Sequence, residues 1–237
     1  MYYQMYYMDA NFIDKAKKDP TIIGLISLYD RRKYDEIVKY LVKGTEPWAP
    51  AAYSVRLFFD VIFLERGIKA CETLCAWSSY NPLLQTVLYS MLGHRYFDVG
   101  DVEKMRAAYK TSLEAADKCP HLNVHTNAQK WIFSTYFYWA RHDSDIEIKK
   151  SCLHKAMFVP PAYFHPELIR GKFVRAFQWL RRNNPSDTEA IAAGMASMEQ
   201  FRRDGRLSFI EYNMALDVDI KFSPAIPGAH DIIAGDP

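Results

Sequence analysis

Breaks in a helical hydrophobic pattern recur along this chain at intervals that few folds can accommodate. Helix-opening signals stand near residues 21, 51, 82, 124 and 165, with a turn midway between openings and proline or glycine at the joins. A spacing of roughly 30 to 42 residues is typical of helical hairpins stacked into a solenoid. A single hairpin leaves an apolar face exposed, so the stack is what buries it. A helical bundle without repeat order is the alternative.

The sequence therefore predicts an all-α protein with three parts. Residues 1–18 form an N-terminal segment, residues 19–206 hold about five antiparallel helical hairpins, and residues 207–237 form an extended C-terminal arm. Asp19-Pro20 and Asn81-Pro82 mark helix starts, because a capping side chain followed by proline favours the first helical turn.

The composition bounds the class of protein. With 49% hydrophobic and 15% aromatic residues, the chain has enough apolar side chains for a core, which excludes disorder of the whole chain. The net charge of +2 does not indicate a general nucleic-acid binder.

The charge is unevenly distributed along the chain. Arg141 to Arg206 contains 12 Lys/Arg against 8 Asp/Glu, whereas Leu207 to the end contains one Lys against five acids. The acidic end can therefore lie along the basic helices before it. A solvated helix face is the other explanation of such a basic stretch.

The sequence gives no indication of export or membrane insertion. Four cysteines in 237 residues do not make a disulfide framework, which indicates a reducing compartment. Residues 1–8 lack the basic and aliphatic regions of a signal peptide, and the apolar stretch Val55 to Leu64 is too short to span a bilayer. We expect a cytoplasmic protein, or one inside an intracellularly assembled particle, without membrane contact.

One hairpin carries small, aromatic and turn residues in the order of a known repeat: Leu92, Gly93, Tyr96, Gly100, Asp101, Tyr109 and Pro120. This segment resembles a tetratricopeptide repeat. In that family the Leu-Gly pair lets the two helices approach closely, and an aromatic side chain fills the interface. Met105 departs from the family's usual alanine, so its larger side chain should wedge the helices apart or need room elsewhere. A fainter copy runs from Tyr136 to Pro161.

The resemblance implies a right-handed α-solenoid in which the first helix of each hairpin lines a concave groove. The implied partner-binding positions in the two matching repeats are Val87, Ser90, His94, Phe97, Trp131, Ser134, Tyr138 and Arg141. These positions lack the Lys and Asn set with which members of the family clamp a terminal carboxylate. The implied groove is aromatic and mildly polar, which suits an extended or helical apolar peptide.

Six aromatic residues stand within the nine residues from Trp131 to Trp139. They cover every face of the predicted helix, and a helix that is apolar all round is normally buried on most sides. Trp131 and Tyr138, seven apart, share a face and are the best candidates for partner contact.

The sequence contains no complete motif for metal binding or catalysis. Cys119, His121 and His125 form a Cys-x-His-x3-His cluster, but no second pair completes four ligands, so we predict no metal site. No nucleophile elbow, phosphate loop or dinucleotide fingerprint is present, so we predict no enzymatic activity and no cofactor.

Basic and aromatic residues alternate on one predicted helix, namely Arg170, Lys172, Phe173, Arg175, Phe177, Trp179, Arg181 and Arg182. Phosphate binding with base stacking is one explanation of this pattern. The apolar members also form a helical stripe, which makes the basic residues the outer face of an ordinary helix and disfavours nucleic acid as a partner.

The C-terminal part departs from the helical pattern. Apolar and polar residues alternate from Ile210 to Phe222, which predicts a strand at least from Leu216 onward, whereas Leu207, Ile210 and Met214 also fit a short helix. A strand must pair. We hypothesise pairing with the tyrosine-rich residues 2–7 or with another subunit, and hence a homo-oligomer held by residues 207–237.

The leading functional hypothesis is a non-enzymatic scaffold or adaptor that binds a partner peptide or chain in an aromatic concave groove. A structural subunit of a larger particle, such as a virion or a secretion assembly, linked through its termini, is the second. A nucleic-acid-associated helical-repeat protein is the third.

Overall fold

The computed structural model describes residues 14, 17–45, 52–119, 126–160, 164 and 168–216. Every regular element in these ranges is a helix, which confirms the all-α prediction for the described part of the chain. Most of the predicted N-terminal segment 1–18 and residues 217–237 of the predicted arm lie outside it.

Eleven α-helices and one π-helical segment follow one another within the described ranges. They are α1 (Pro20–Asp30), α2 (Tyr34–Thr45), α3 (Ala52–Arg66), α4 (Ile68–Trp77), α5 (Pro82–Asp98), α6 (Val102–Asp117), α7 (Thr126–His142), α8 (Ile146–Met157), the π segment (Ile169–Phe173), α9 (Val174–Asn183), α10 (Thr188–Arg203) and α11 (Phe209–Ala215).

The predicted helix starts are confirmed by their capping bonds. The Asp19 carboxylate accepts hydrogen bonds from the backbone N–H groups of Thr21 at 2.8 Å and Ile22 at 3.3 Å. The Asn81 side-chain oxygen accepts from the Leu84 N–H at 2.8 Å. Each cap satisfies N–H groups that the first helical turn leaves without a partner.

The chain divides into two compact units, Met1–Ala128 and Gln129–Pro237. The division falls inside the predicted repeat domain of residues 19–206, whose limits stay a prediction. Each unit has its own buried apolar side chains, as expected of a separate core.

The first unit contains α1 to α6. Its second helix contacts α1, α3, α4 and α5 through its apolar side, whereas Asp35, Glu36, Lys39 and Lys43 on its other side are exposed. The largest fully buried side chains of α3 are Phe58, Phe59 and Ile62, and α2 contributes Ile37 and Leu41. These residues form the centre of the unit.

Helices α5 and α6 form a closely packed hairpin in the first unit. Gly93 on α5 lies against the ring of the fully buried Tyr109 on α6, where an added Cβ would be 2.5 Å from Cε1. The Ser112 hydroxyl donates to the Thr86 carbonyl at 2.7 Å across the same interface. Met105, the departure from the repeat pattern, is also fully buried.

The second unit has a core rich in phenylalanine. The Phe133 ring lies 5.1 Å from the Phe164 ring and 5.6 Å from the Phe173 ring, and Phe173 meets Phe201 edge-on at 5.2 Å. Offset and edge-on arrangements are the favoured geometries of aromatic pairs. The cluster joins α7, the π segment and α10.

For residues 210–215 the alternation fits a strand and the spacing of Ile210 and Met214 fits a short helix, and the structure shows the helix. These residues belong to α11, whose capping box pairs the Ser208 hydroxyl with the Glu211 N–H at 3.2 Å and the Glu211 carboxylate with the Ser208 N–H at 2.8 Å. The alternative of a short helix is confirmed. Leu207 and Ala215 are buried in the core of the second unit, so the arm is not extended before residue 217.

Candidate partner-binding face

The predicted positions on α5 lie largely inside the first unit. Val87 and Ser90 are buried, and His94 and Phe97 are half-buried. The His94 ring meets the Tyr109 ring edge-on at 5.8 Å, so it is part of the α5–α6 interface. These four residues do not form a continuous exposed surface.

The predicted positions on α7 are more accessible. Trp131, Tyr138 and Arg141 are half-buried, whereas Ser134 is 5% exposed. The rings of Phe133 and Phe137, on the other side of the helix, are in the core. The aromatic segment is therefore divided between core packing and partial exposure.

Tyr138 is brought together with a basic residue from the π segment. The Lys172 ammonium lies 4.3 Å from the centre of the Tyr138 ring, within the range of a cation–π interaction. The ring also contacts Phe137 at 5.4 Å and His142 at 5.7 Å. Its orientation is therefore fixed from several sides.

Basic residues continue from Lys172 along α9. Arg175, Trp179 and Arg182 follow at intervals of three, four and three residues, which places them along one side of the helix. Arg182 is exposed and the other two are half-buried. With the two residues from α7 they form what we term the basic–aromatic face, consisting of Tyr138, Arg141, Lys172, Arg175, Trp179 and Arg182.

The opposite side of α9 anchors this face to the core. Val174, Phe177 and Leu180 are buried, and the Gln178 side-chain amide donates to the Met214 carbonyl on α11 at 3.1 Å. The face is thus carried by helices whose other sides are packed, which limits the reorganisation that binding would require.

The electrostatics of the face favour negative charge. Burial, with the Arg141 charge adding to it, lowers the pKa of His142 to about 3. His142 is therefore neutral near pH 7 and adds no positive charge to the face, whose basic side chains are one lysine and three arginines.

The three aromatic residues considered for base stacking differ in their exposure to solvent. Phe173 and Phe177 are fully buried in the core of the second unit, and Trp179 is half-buried against it. Of the three rings, only Trp179 is partly accessible.

No family model, no curated protein and no solved structure matches this chain. None of the helices in the described part is both long and apolar enough to cross a membrane.

A buried charged cluster in the first unit was not predicted from the sequence. Asp60 on α3 is 4% exposed and accepts a hydrogen bond from Arg95 on α5 at 2.8 Å, and the same guanidinium donates to Asp98 at 2.7 Å. Arg95 also lies over the Phe63 ring at 5.0 Å. The charge pattern in an otherwise apolar helix is the signal that could have indicated it.

The physical effect of this cluster is structural. Burial raises the pKa of Asp60, against the lowering effects of Arg95 and Arg56. Burial likewise raises the pKa of Asp98. The Asp60 to Arg95 bond connects α3 to α5 at a partly buried site, where it supports the pairing of the two helices.

The candidate metal cluster is only partly described. Cys119 is half-buried, with a pKa that burial raises, whereas His121 and His125 lie outside the described residues. Among the described residues, no three His, Cys, Asp or Glu side chains are grouped so as to hold a metal ion.

Proposed function

We propose that this protein is a scaffold or adaptor that binds a partner chain through the basic–aromatic face of its second unit. The observation that carries the proposal is the meeting of Tyr138 and Lys172 at 4.3 Å. It joins a predicted partner-binding residue on α7 to the basic side of α9, and so assembles a surface that neither helix has alone.

The residue types of the face are those that dominate protein interfaces. Tyrosine, tryptophan and arginine are enriched among residues with large binding contributions, because they combine a large contact area with hydrogen-bonding groups. Tyr138 and Trp179 provide the apolar area, and Arg141, Arg175 and Arg182 provide charge-assisted donors.

A protein partner is favoured over single-stranded nucleic acid by the placement of the rings. Stacking requires accessible aromatic faces, yet Phe173 and Phe177 are buried and the Tyr138 ring is covered by the Lys172 ammonium. The carboxylates of a peptide, in contrast, can pair with the basic groups around these rings without access to the ring faces.

We also propose that the α5–α6 hairpin is a divergent tetratricopeptide-like repeat within a right-handed solenoid. The close approach of Gly93 to Tyr109 supports this, because the Leu-Gly pair of that repeat serves the same purpose. The partner-binding role of the second unit does not depend on the solenoid.

Quantitative affinity capture from the native source tests the function. The bait is the full chain, compared with Tyr138→Ala and with Arg141→Ala, each checked for an unchanged circular dichroism spectrum and thermal midpoint. We expect one or a few proteins to be captured by the wild type and lost from both variants.

The matched control carries Lys39→Glu and Lys110→Glu, two exposed positions of the first unit. This control should keep the captured proteins. Equal capture by all four baits would refute the proposed face, and the absence of any enriched protein would refute the proposed function.

A further inference from the structure

Helix α11, which precedes residues 217–237 in the chain, ends beside α9. Helix α11 ends at Ala215, and the bond from Gln178 to the Met214 carbonyl holds that end against α9. Gln178 is the immediate neighbour of Trp179 and lies one turn from Arg175 and from Arg182. The last described residue, Leu216, is thus separated from the face by only a few residues' length of extended chain.

The composition of this segment complements the face. It contains Asp217, Asp219, Asp231 and Asp236 against the single Lys221. Its apolar residues are Val218, Ile220, Phe222, Ile226, Ile232 and Ile233. An acidic and apolar segment thus follows directly on a basic and aromatic surface, and such pairing of opposite charges favours association.

We propose that residues 217–237 dock on the basic–aromatic face of their own second unit and occupy it until a partner displaces them. The displacement step rests on the proposed function, whereas the docking does not. The occupant is this segment of the same chain, and a second copy of the chain is the outcome that the experiment must distinguish.

The length of the segment is sufficient for this placement. An extended chain spans at most about 3.3–3.6 Å per residue, so residues 217–221 alone reach about 17 Å. That distance corresponds to about eleven residues along an α-helix, whereas the basic stripe from Lys172 to Arg182 advances by only about ten residues. The first two aspartates therefore reach the arginines of α9 without unfolding α11.

Because the segment is part of the same chain, it competes with any partner for the face. A tethered segment competes at a high effective concentration, on the order of millimolar for a short flexible connection. A partner that binds the same face must therefore be acidic itself, or must bind tightly enough to displace the segment. The face is then selective for partners that resemble the chain's own C-terminal segment.

Zero-length carbodiimide crosslinking of the full chain tests the docking. The reagent joins a carboxylate to an amine in direct contact, and Lys172 is the one amine of the face. We expect peptides that link Lys172 to the aspartates of residues 217–237, at higher yield than links to Lys39 or Lys110. Raising the salt from about 0.05 M to about 0.5 M should lower this yield, because exposed ion pairs are screened.

Two variants of the full chain sharpen the result. Lys172→Arg keeps the charge but cannot be crosslinked, so its links should disappear while those elsewhere stay. Arg175→Glu with Arg182→Glu should lower the Lys172 links about tenfold, since two reversed charges change an exposed association by roughly that factor. The first-unit control, Lys39→Glu with Lys110→Glu, should leave the Lys172 links unchanged.

Mixing chains of natural and heavy-isotope composition decides which copy supplies the segment. Links within one isotopic form support docking on the same chain, and mixed links at the statistical proportion overturn it in favour of a second copy. Docking is also overturned by links spread evenly over all lysines. A chain that shows the Lys172 links but captures no partner would refute the proposed function and leave the docking supported.

Discussion

Gly93 lies so close to Tyr109 that a Cβ at this position would be 2.5 Å from Cε1 and 2.7 Å from Cδ1 of the ring. The ring is fully buried and cannot withdraw without moving α6. We therefore expect Gly93→Ala to lower the free energy of unfolding by about 1–3 kcal/mol. Urea denaturation followed by circular dichroism measures this change.

Gly24 provides the matched control. It is exposed on α1, and an added Cβ would meet no atom of a neighbouring element within 4 Å. Gly24→Ala should raise the free energy of unfolding by about 0.5–1 kcal/mol, because alanine restricts the unfolded chain and favours the helix. If both substitutions had the same sign, the close approach of α5 and α6 would not be the cause.

The buried pair of Asp60 and Arg95 makes a second prediction. Asp60→Ala removes the acceptor of the 2.8 Å bond and should lower the free energy of unfolding by about 1.5–3 kcal/mol, because the partly buried Arg95 loses one of its two carboxylate partners. Asp30→Ala is the control, since the Asp30 to Arg66 pair is exposed. It should change stability far less than Asp60→Ala in the same thermal unfolding experiment.

The pH dependence of stability gives a third prediction. The pKa of Asp60 is raised by burial, so the folded protein takes up this proton at a higher pH than the unfolded chain does. The resulting stabilisation is complete below the unfolded pKa and is lost as the pH rises through the folded pKa.

Asp60→Asn tests this sign. The variant cannot take up the proton, so the stability of the wild type relative to Asp60→Asn should increase as the pH falls from about 7 toward about 4. Denaturant titrations of both proteins across that range measure the difference. A constant difference would show that Asp60 titrates alike in the folded and unfolded chains.

Two helix caps in the second unit give a fourth prediction. Asp145 caps α8 by accepting from Glu147 N–H at 2.9 Å. Asp187 caps α10 and also contacts the His154 ring nitrogen at 2.9 Å. Asp145→Ala should cost about 1 kcal/mol and Asp187→Ala about 2 kcal/mol, because the second substitution also removes a connection between α8 and α10. Thermal unfolding near pH 6 measures the loss of stability in each variant. Equal losses would show that the contact with His154 does not stabilise the fold.

Local signals predicted the described helices well where capping and turn residues were clear. Asp19, Asn81 and Gly100 stand at the predicted starts and turns, because these residues act on the backbone within a short distance along the chain. The close approach at Gly93 is implied by the resemblance to a tetratricopeptide repeat and not by a local signal, and the structure shows this glycine against the Tyr109 ring.

Residues 210–215 show that the hydrophobic period alone does not separate a strand from a short helix. Alternation from Ile210 onward fits a strand, whereas Ser208-x-x-Glu211 is a capping-box motif, which is a direct signal of a helix start and which the structure shows to be formed. The end of the helix is held by α9 through Gln178, and a contact over 36 residues leaves no mark in the local pattern.

The candidate face could be only half predicted. Tyr138 and Arg141 are positions that the resemblance to a tetratricopeptide repeat implies, and their role stays a prediction. The approach of Lys172 to Tyr138 depends on how the π segment packs against α7. Hydrophobic periodicity predicts which side of each helix faces the core, but not which other helix packs against that side. The basic residues were therefore assigned to an ordinary outer face.

The π segment Ile169–Phe173 has a consequence for how this region can change. Its wider turn, closed by i→i+5 hydrogen bonds, takes up one residue more than an α-helical turn would. Gly171 in this turn has open space around it. Deletion of Gly171 would convert the π turn into an ordinary α-helical turn, and α9 would keep the same side towards the core. Lys172 stands inside the wide turn, so its direction would change and its ammonium would leave Tyr138. Deletion of one residue here would thus alter the proposed partner-binding face while sparing the core.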